Sequence, residues 1–200
     1  VLEHEKLNIM NDFSFYFVEG WKHIVSTDAL DHQLFILALA VVYTFSDWKK
    51  VLILVTAFTI GHSLTLAFSV LDAIRISSAW VEFLIPVTIV LTAGWNMING
   101  KPVKNVHTNY FLALFFGLIH GLGFANSIRM MLASDQSLGW GLFGFNVGLE
   151  AGQVVVVFII LLLGKVLLEL VKIPQRIYIF VVSLAVCVFA AKMAIERVPF

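Results

Sequence analysis

The sequence predicts an all-α polytopic membrane protein: a bundle of about six transmembrane helices preceded by an N-terminal interfacial amphipathic helix. Three observations predict it. Of 200 residues, 60% are apolar and only 13% are charged, whereas a soluble domain is roughly a quarter charged. The mean hydropathy is +0.94. The apolar residues also fall in runs of roughly 20, the length at which a helix crosses a bilayer, and about six such runs use up the chain. No separate soluble domain fits beside them. The formal net charge is zero, so nothing points to nucleic acid. Cys187 is the only cysteine and lies in an apolar run, which excludes an intrachain disulfide and a cysteine-based zinc site.

In chain order, residues 1–9 are polar and precede Met10. They read as an appended segment with the native start at Met10, so His4 is set aside. Residues 10–27 are expected as the interfacial helix. Phe13, Phe17, Trp21 and Ile24 recur at helical spacing, with Glu19, Lys22 and His23 off that stripe.

The transmembrane domain is expected over 28–200. Its first span runs from Asp28 to about Phe45, with Asp28 as N-cap and Asp31 three residues on, as in a capping box. Trp48-Lys49-Lys50 marks the water boundary. The second span, ending near Leu71, holds Thr56, Thr59, His62, Ser63 and Thr65, a polar set for mid-membrane. The third, Ala79 to about Met97, carries Glu82 near its start and Pro86 as a kink site. Asn99 to Thr108 reads as a loop. The fourth span, Tyr110 to about Met131, contains Gly117 and Gly121, four apart, which lets a neighbouring backbone come close. A turn is expected at Ser134–Gly139. In the fifth span, about Leu142 to Leu168, Gly144, Gly148 and Gly152 share one side, and Asn146, Glu150 and Gln153 another. Pro174 breaks the chain before a sixth span, Tyr178 to about Ala194. Lys49, Lys50, Lys101, Lys104, Lys172 and Arg176 fall in loops on one side, against Lys22, Arg75, Arg129 and Arg197 on the other. The positive-inside rule then puts both termini outside.

This topology lets polar groups from four helices converge in the outer half of the membrane: His32, His62, His120 and Glu150. Asp28, Asp31 and His23 stand at the outer rim. Ionisable groups are costly inside a membrane and are retained chiefly to bind or transfer something. Three imidazoles with carboxylates suit a divalent transition metal such as nickel, cobalt, zinc or copper, and suit magnesium or calcium less well. Ser63, Thr59, Asn146 and Gln153 then orient the ligands or act as weak oxygen ligands on a path. Plainer roles compete. Asp28 serves equally as a helix cap, Asp31 as a solvated carboxylate, and His23 as a headgroup contact or a partner of Glu19. A lone intramembrane histidine is often only a hydrogen-bonding group. Glu82 reads as snorkelling outward and His107 as solvent-exposed.

Four stretches resemble the HupE/UreJ membrane proteins: Gly20-Trp-Lys-His23-Ile through Asp31-His32-Gln-Leu-Phe, Thr56-Ala-Phe-Thr-Ile-Gly-His62-Ser63, Phe116-Gly-Leu-Ile-His120-Gly-Leu-Gly, and Phe145-Asn146-Val-Gly-Leu-Glu150-Ala-Gly-Gln153. The resemblance implies a nickel or cobalt permease of the bacterial inner membrane, associated with nickel hydrogenases and ureases. The positions it carries over are His23, Asp31, His32, His62, Ser63, His120, Asn146, Glu150 and Gln153. The His-x4-Asp-His signature of nickel–cobalt permeases is matched only in its Asp31-His32 end, because His23 stands nine residues before His32.

Two functions from different classes follow. The first is a transition-metal permease that captures the ion at His23, Asp28, Asp31 and His32 and passes it to His62, His120 and Glu150. Against it, no paired discontinuous helices and no inverted repeat are visible. The second is an intramembrane zinc hydrolase acting on a lipid or membrane peptide. Three histidines would hold zinc, Asp28 or Glu150 would be the general base, and Ser63 would polarise the carbonyl. The resemblance tips the balance to transport. The expected partners are the lipid bilayer and the metal ion, with homo-oligomerisation left open.

Overall fold

A computed structural model of the chain describes residues 2–102, 106–132 and 138–199. Among the described residues every regular element is helical: α1 (Leu2–Val25), α2 (Leu30–Ala40), α3 (Trp48–Val70), α4 (Ser78–Asn99), α5 (Val106–Leu132), α6 (Leu138–Lys165) and α7 (Gln175–Glu196). Short 3-10 turns at Thr27–Ala29 and Phe45–Asp47 bracket α2, and a π-helical turn, Val166–Leu170, prolongs α6. The loop expected up to Thr108 and the turn expected at Ser134–Gly139 fall partly on 103–105 and 133–137, outside the described residues.

Five stretches among the described residues are long and apolar enough to cross a bilayer: Phe45–Val70, Ser78–Asn99, His107–Ala125, Gly139–Leu170 and Gln175–Glu196. They correspond to the second through sixth spans expected from sequence. The first differs. A continuous helix from Asp28 to Phe45 does not form, because α2 has only 11 residues, about 16 Å or half a bilayer core. The cap expected of Asp28 is absent as well. Ala29 takes the N-cap position with no side-chain bond. Asp31 instead accepts the backbone N–H of His32 at 2.9 Å.

The helix directions explain what replaces that span. Helices α1 and α6 run parallel, with Phe13 against Gly144, Phe17 against Gly148 and Ile24 against Gly152. A Cβ on Gly148 would collide with the carbonyl oxygen of Phe17, so the four-residue glycine repeat is the groove in which α1 lies. The stretch expected to lie in the interface, 10–27, is therefore mostly the later part of a 24-residue helix packed lengthwise on α6. Helices α3 and α5 are also parallel, with Phe58 against Gly117 and His62 against Gly121. Helix α6 opposes α3, since Ser63 pairs with Asn146 and Thr56 with Glu150. Helix α2 opposes α5: His32 faces His120, Phe35 faces Phe116 and Tyr43 bonds Asn109.

It follows that α1 and α2 point the same way and follow one another end to end, interrupted at residues 26–29. A break leaves carbonyls of the first helix without partners. Gln33 answers them, donating its Nε2 to the oxygens of Ile24 at 3.0 Å and Ser26 at 2.9 Å. At the far end of α2, Asn96 donates to the Ala38 oxygen at 2.7 Å. Phe35 of α2 clusters with Phe58, Ile85, Ile89 and Val186, all essentially buried. The functional groups thus gather at an interrupted helix inside the bundle.

Candidate metal site

The interruption places His23 two residues before the end of α1 and His32 in the first turn of α2. His62 projects from α3 about two turns before its end. Their rings converge, with centroids 4.5 Å apart for His23 and His32, 5.7 Å for His23 and His62, and 5.8 Å for His32 and His62. One nitrogen from each lies within 4.8 Å of the other two. Nitrogens around a tetrahedral ion at about 2.0 Å stand roughly 3.3 Å apart, so closure on an ion asks each ring to move by about 1 Å.

The hydrogen bonds suit that use. His32 Nδ1 is 3.0 Å from Asp31 Oδ1. A carboxylate can only accept, so Nδ1 carries the hydrogen and the Nε2 lone pair is left. Arg197, just beyond α7, lies 3.6 Å from the other Asp31 oxygen and holds the carboxylate from behind. His32 Nε2, His23 Nε2 and both nitrogens of His62 are buried and have no hydrogen-bond partner among the described residues. Buried polar atoms are nearly always satisfied. Each neutral ring offers one lone pair, so the three histidines present three nitrogen donors, one from each ring, within 4.8 Å of one another.

His120 lies beside the triad, its ring 5.3 Å from that of His32. Thr88 Oγ1 is 2.7 Å from the Ile85 oxygen and 3.1 Å from His120 Nε2. The hydroxyl has one hydrogen, which it donates to the carbonyl, so His120 donates through Nε2 and keeps a free, buried Nδ1. A cavity of about 340 Å³ opens over these groups and is lined by His23, His32, His120, Asp28, Asp31, Glu82 and Arg197 among others. Asp28 and Glu82 are exposed at its mouth, where two carboxylates favour cation entry. On the far side of Phe35 and Phe58 is a second, mostly apolar cavity of about 400 Å³, lined by residues including Ala38, Leu54, Asn96, Ala113 and Phe116. Phe35 touches both His120 on one side and Phe116 on the other.

Glu150 is not brought to the histidines. It accepts from Thr56, six residues before His62 on α3 and so about 9 Å along that helix. Ser63 bonds Asn146 at 2.6 Å and Thr59 bonds Gln153 at 2.7 Å. These residues form a seam between α3 and α6. Of the residues expected for hydrolysis, Ser63 and Glu150 lie in this seam, whereas Asp28 lines the histidine cavity. His107 is exposed. Sequence reasoning missed Arg197 and Thr88 and set Glu82 aside. Position alone hinted at Glu82 and Arg197, each at the end of a helix on the side where His32 lies.

The chain matches the model of the family described as HupE / UreJ protein over residues 2–197. It belongs to the HupE/UreJ family. The matched residues take in α1 through α7 and Arg197. The family is one of multi-pass membrane proteins linked to nickel and cobalt handling, and the lipid bilayer is the partner that the five apolar helices require. Comparison with curated proteins and with solved structures finds no match.

Proposed function

We propose that this HupE/UreJ protein is a permease for a divalent transition metal of the nickel–cobalt type, with His23, His32 and His62 as its principal ligands. The observation that carries the reading is the convergence of three imidazoles from three separate helices, each with a buried nitrogen that has no partner among the described residues. Neutral imidazole is a ligand for nickel, cobalt and zinc alike. The cation is cargo. It enters through the cavity past Asp28 and Glu82, exchanges water for imidazole at the triad, and has His120 Nδ1 as a neighbouring donor. Helices α1 and α2 together serve as a sixth, discontinuous crossing. Interrupted helices at mid-depth are a recurrent way to build transporter sites, because their ends leave ligands and backbone groups available inside the bundle.

The end of the bundle that carries Lys49, Lys50, Lys101, Lys172 and Arg176 is assigned to the cytoplasm by the positive-inside rule. The membrane is then the bacterial inner membrane, with both termini outside. The test is uptake by the purified protein in liposomes. Nickel, cobalt or zinc should enter down a gradient, and His62→Ala should stop it. No uptake, together with one zinc held tightly per chain, would overturn the permease reading.

A further inference from the structure

The α3–α6 seam holds the most polar groups outside the histidine cluster. On α3, Thr56, Thr59 and Ser63 fall on one face and span about 10 Å along the axis. On α6, Asn146, Glu150 and Gln153 face them, each bonded to one hydroxyl. The seam starts at Ser63, the residue next to His62, and leads away from the mouth of the histidine cavity toward the middle of both helices.

One group in it is left unbalanced. Ser63 Oγ lies 2.7 Å from the Thr59 carbonyl oxygen and 2.6 Å from the Asn146 side-chain amide. Thr59 Oγ1 lies 3.1 Å from the Val55 oxygen and 2.7 Å from the Gln153 side-chain amide. Each hydroxyl can give its one hydrogen to the backbone carbonyl and accept from an amide turned end for end, so these pairs balance within the seam. Glu150 uses one oxygen for Thr56, while its Oε2 is buried with no partner among the described residues. A carboxylate oxygen withdrawn from water without a donor is costly, and an acidic side chain within a membrane-crossing helix calls for a counter-charge.

We infer that this seam, ending at Glu150, is a second cation station, made of oxygen donors and separate from the histidine site. It rests on the permease reading and deepens it. The ion leaves the imidazoles, passes Ser63 and Asn146, and is received by Glu150 with Thr56, Thr59 and Gln153. Conduction needs more than one site, each weak enough to release its ion. An oxygen-donor station below an imidazole site supplies that step, because oxygen ligands hold nickel and cobalt less tightly than nitrogen ligands do.

The full chain in detergent is titrated with Co²⁺, measuring both stoichiometry and the visible spectrum. Wild type should bind two ions, one tight with a histidine-ligand spectrum and one weaker. Glu150→Gln, a near-isostere that also mimics a protonated carboxyl, should bind only the tight ion, with unchanged spectrum and affinity. It should move Co²⁺ into liposomes at least tenfold more slowly. Thr56→Val, at an exposed position, should weaken the second ion about tenfold without unfolding risk. His62→Ala should keep the weak ion and lose the tight one. A wild type that binds one ion, with Glu150→Gln and Thr56→Val transporting at the wild-type rate, overturns the second station and leaves the permease standing. A wild type that neither binds nor moves cobalt, nickel or zinc overturns both.

Discussion

Asp31→Asn tests how the histidine site is prepared for an ion. Asp31 has its carboxylate 3.0 Å from His32 Nδ1 and 3.6 Å from Arg197, with a side chain only 17% exposed. The carboxylate fixes the ring orientation, holds the hydrogen on Nδ1 and raises the basicity of Nε2. Loss of such a supporting carboxylate typically costs 10–100-fold in metal affinity, or about 1.4–2.7 kcal/mol. Asparagine keeps the size and one acceptor oxygen but loses the charge, so the effect should lie near the lower end, about tenfold. Asp31→Ala also frees the ring and should approach the upper end, about 100-fold. The partly exposed Arg197 can turn to water in both variants, so little of the change should come from a stranded cation. Calorimetric titration of Ni²⁺ or Co²⁺ into the detergent-solubilised protein reads the affinity, with circular dichroism confirming equal helix content. Affinities within twofold of wild type for both substitutions would refute the claim that Asp31 sets up His32 as a ligand.

Three further outcomes are expected. His62→Ala should lower metal affinity by at least about 100-fold and His120→Ala by less than about tenfold, because only the former belongs to the converging nitrogens; equal losses in the same titration would move His120 into the primary set. Gly148→Ala places a Cβ against the Phe17 carbonyl and should destabilise the α1–α6 contact by about 1–3 kcal/mol. Gly94→Ala, where a Cβ meets nothing within 4 Å, is the control, and thermal unfolding in detergent should separate the two. Phe35→Ala removes a fully buried ring that touches His120, which lines one cavity, and Phe116, which lines the other, and should cost about 3–5 kcal/mol. It should also let Co²⁺ leak into liposomes at concentrations that do not saturate the wild-type site; an unchanged leak would show that the wall between the cavities lies elsewhere.

Local patterning alone dictates the membrane class, the five apolar helices from Phe45 onward and the residue types of the site. The reason is local: run length and residue spacing along one helix decide whether it can cross a bilayer and which side chains share a face. The glycine faces were equally legible, since small residues four apart permit close packing whatever the partner is. Which partner they meet was not. Gly144, Gly148 and Gly152 take α1, a segment whose charged residues disguised it as a surface helix, and that docking carries His23 into the bundle.

A boundary between residues 27 and 28 was legible in the polar run from Ser26 to Gln33. The shortness of α2 and its place in line with α1 were not, because apolar residues continue from Leu34 to Phe45. The break is sustained by bonds that local patterning does not reveal, from Gln33 back to Ile24 and Ser26 and from Asn96 across to Ala38. Tertiary structure also divided a set that sequence had treated as one. Helix α6 sets Glu150 against Thr56, about 9 Å along α3 from His62, while α1 and α2 turn His23 and His32 toward His62. The axial register and rotation of each helix, set by packing against neighbours, decided which ionisable groups meet.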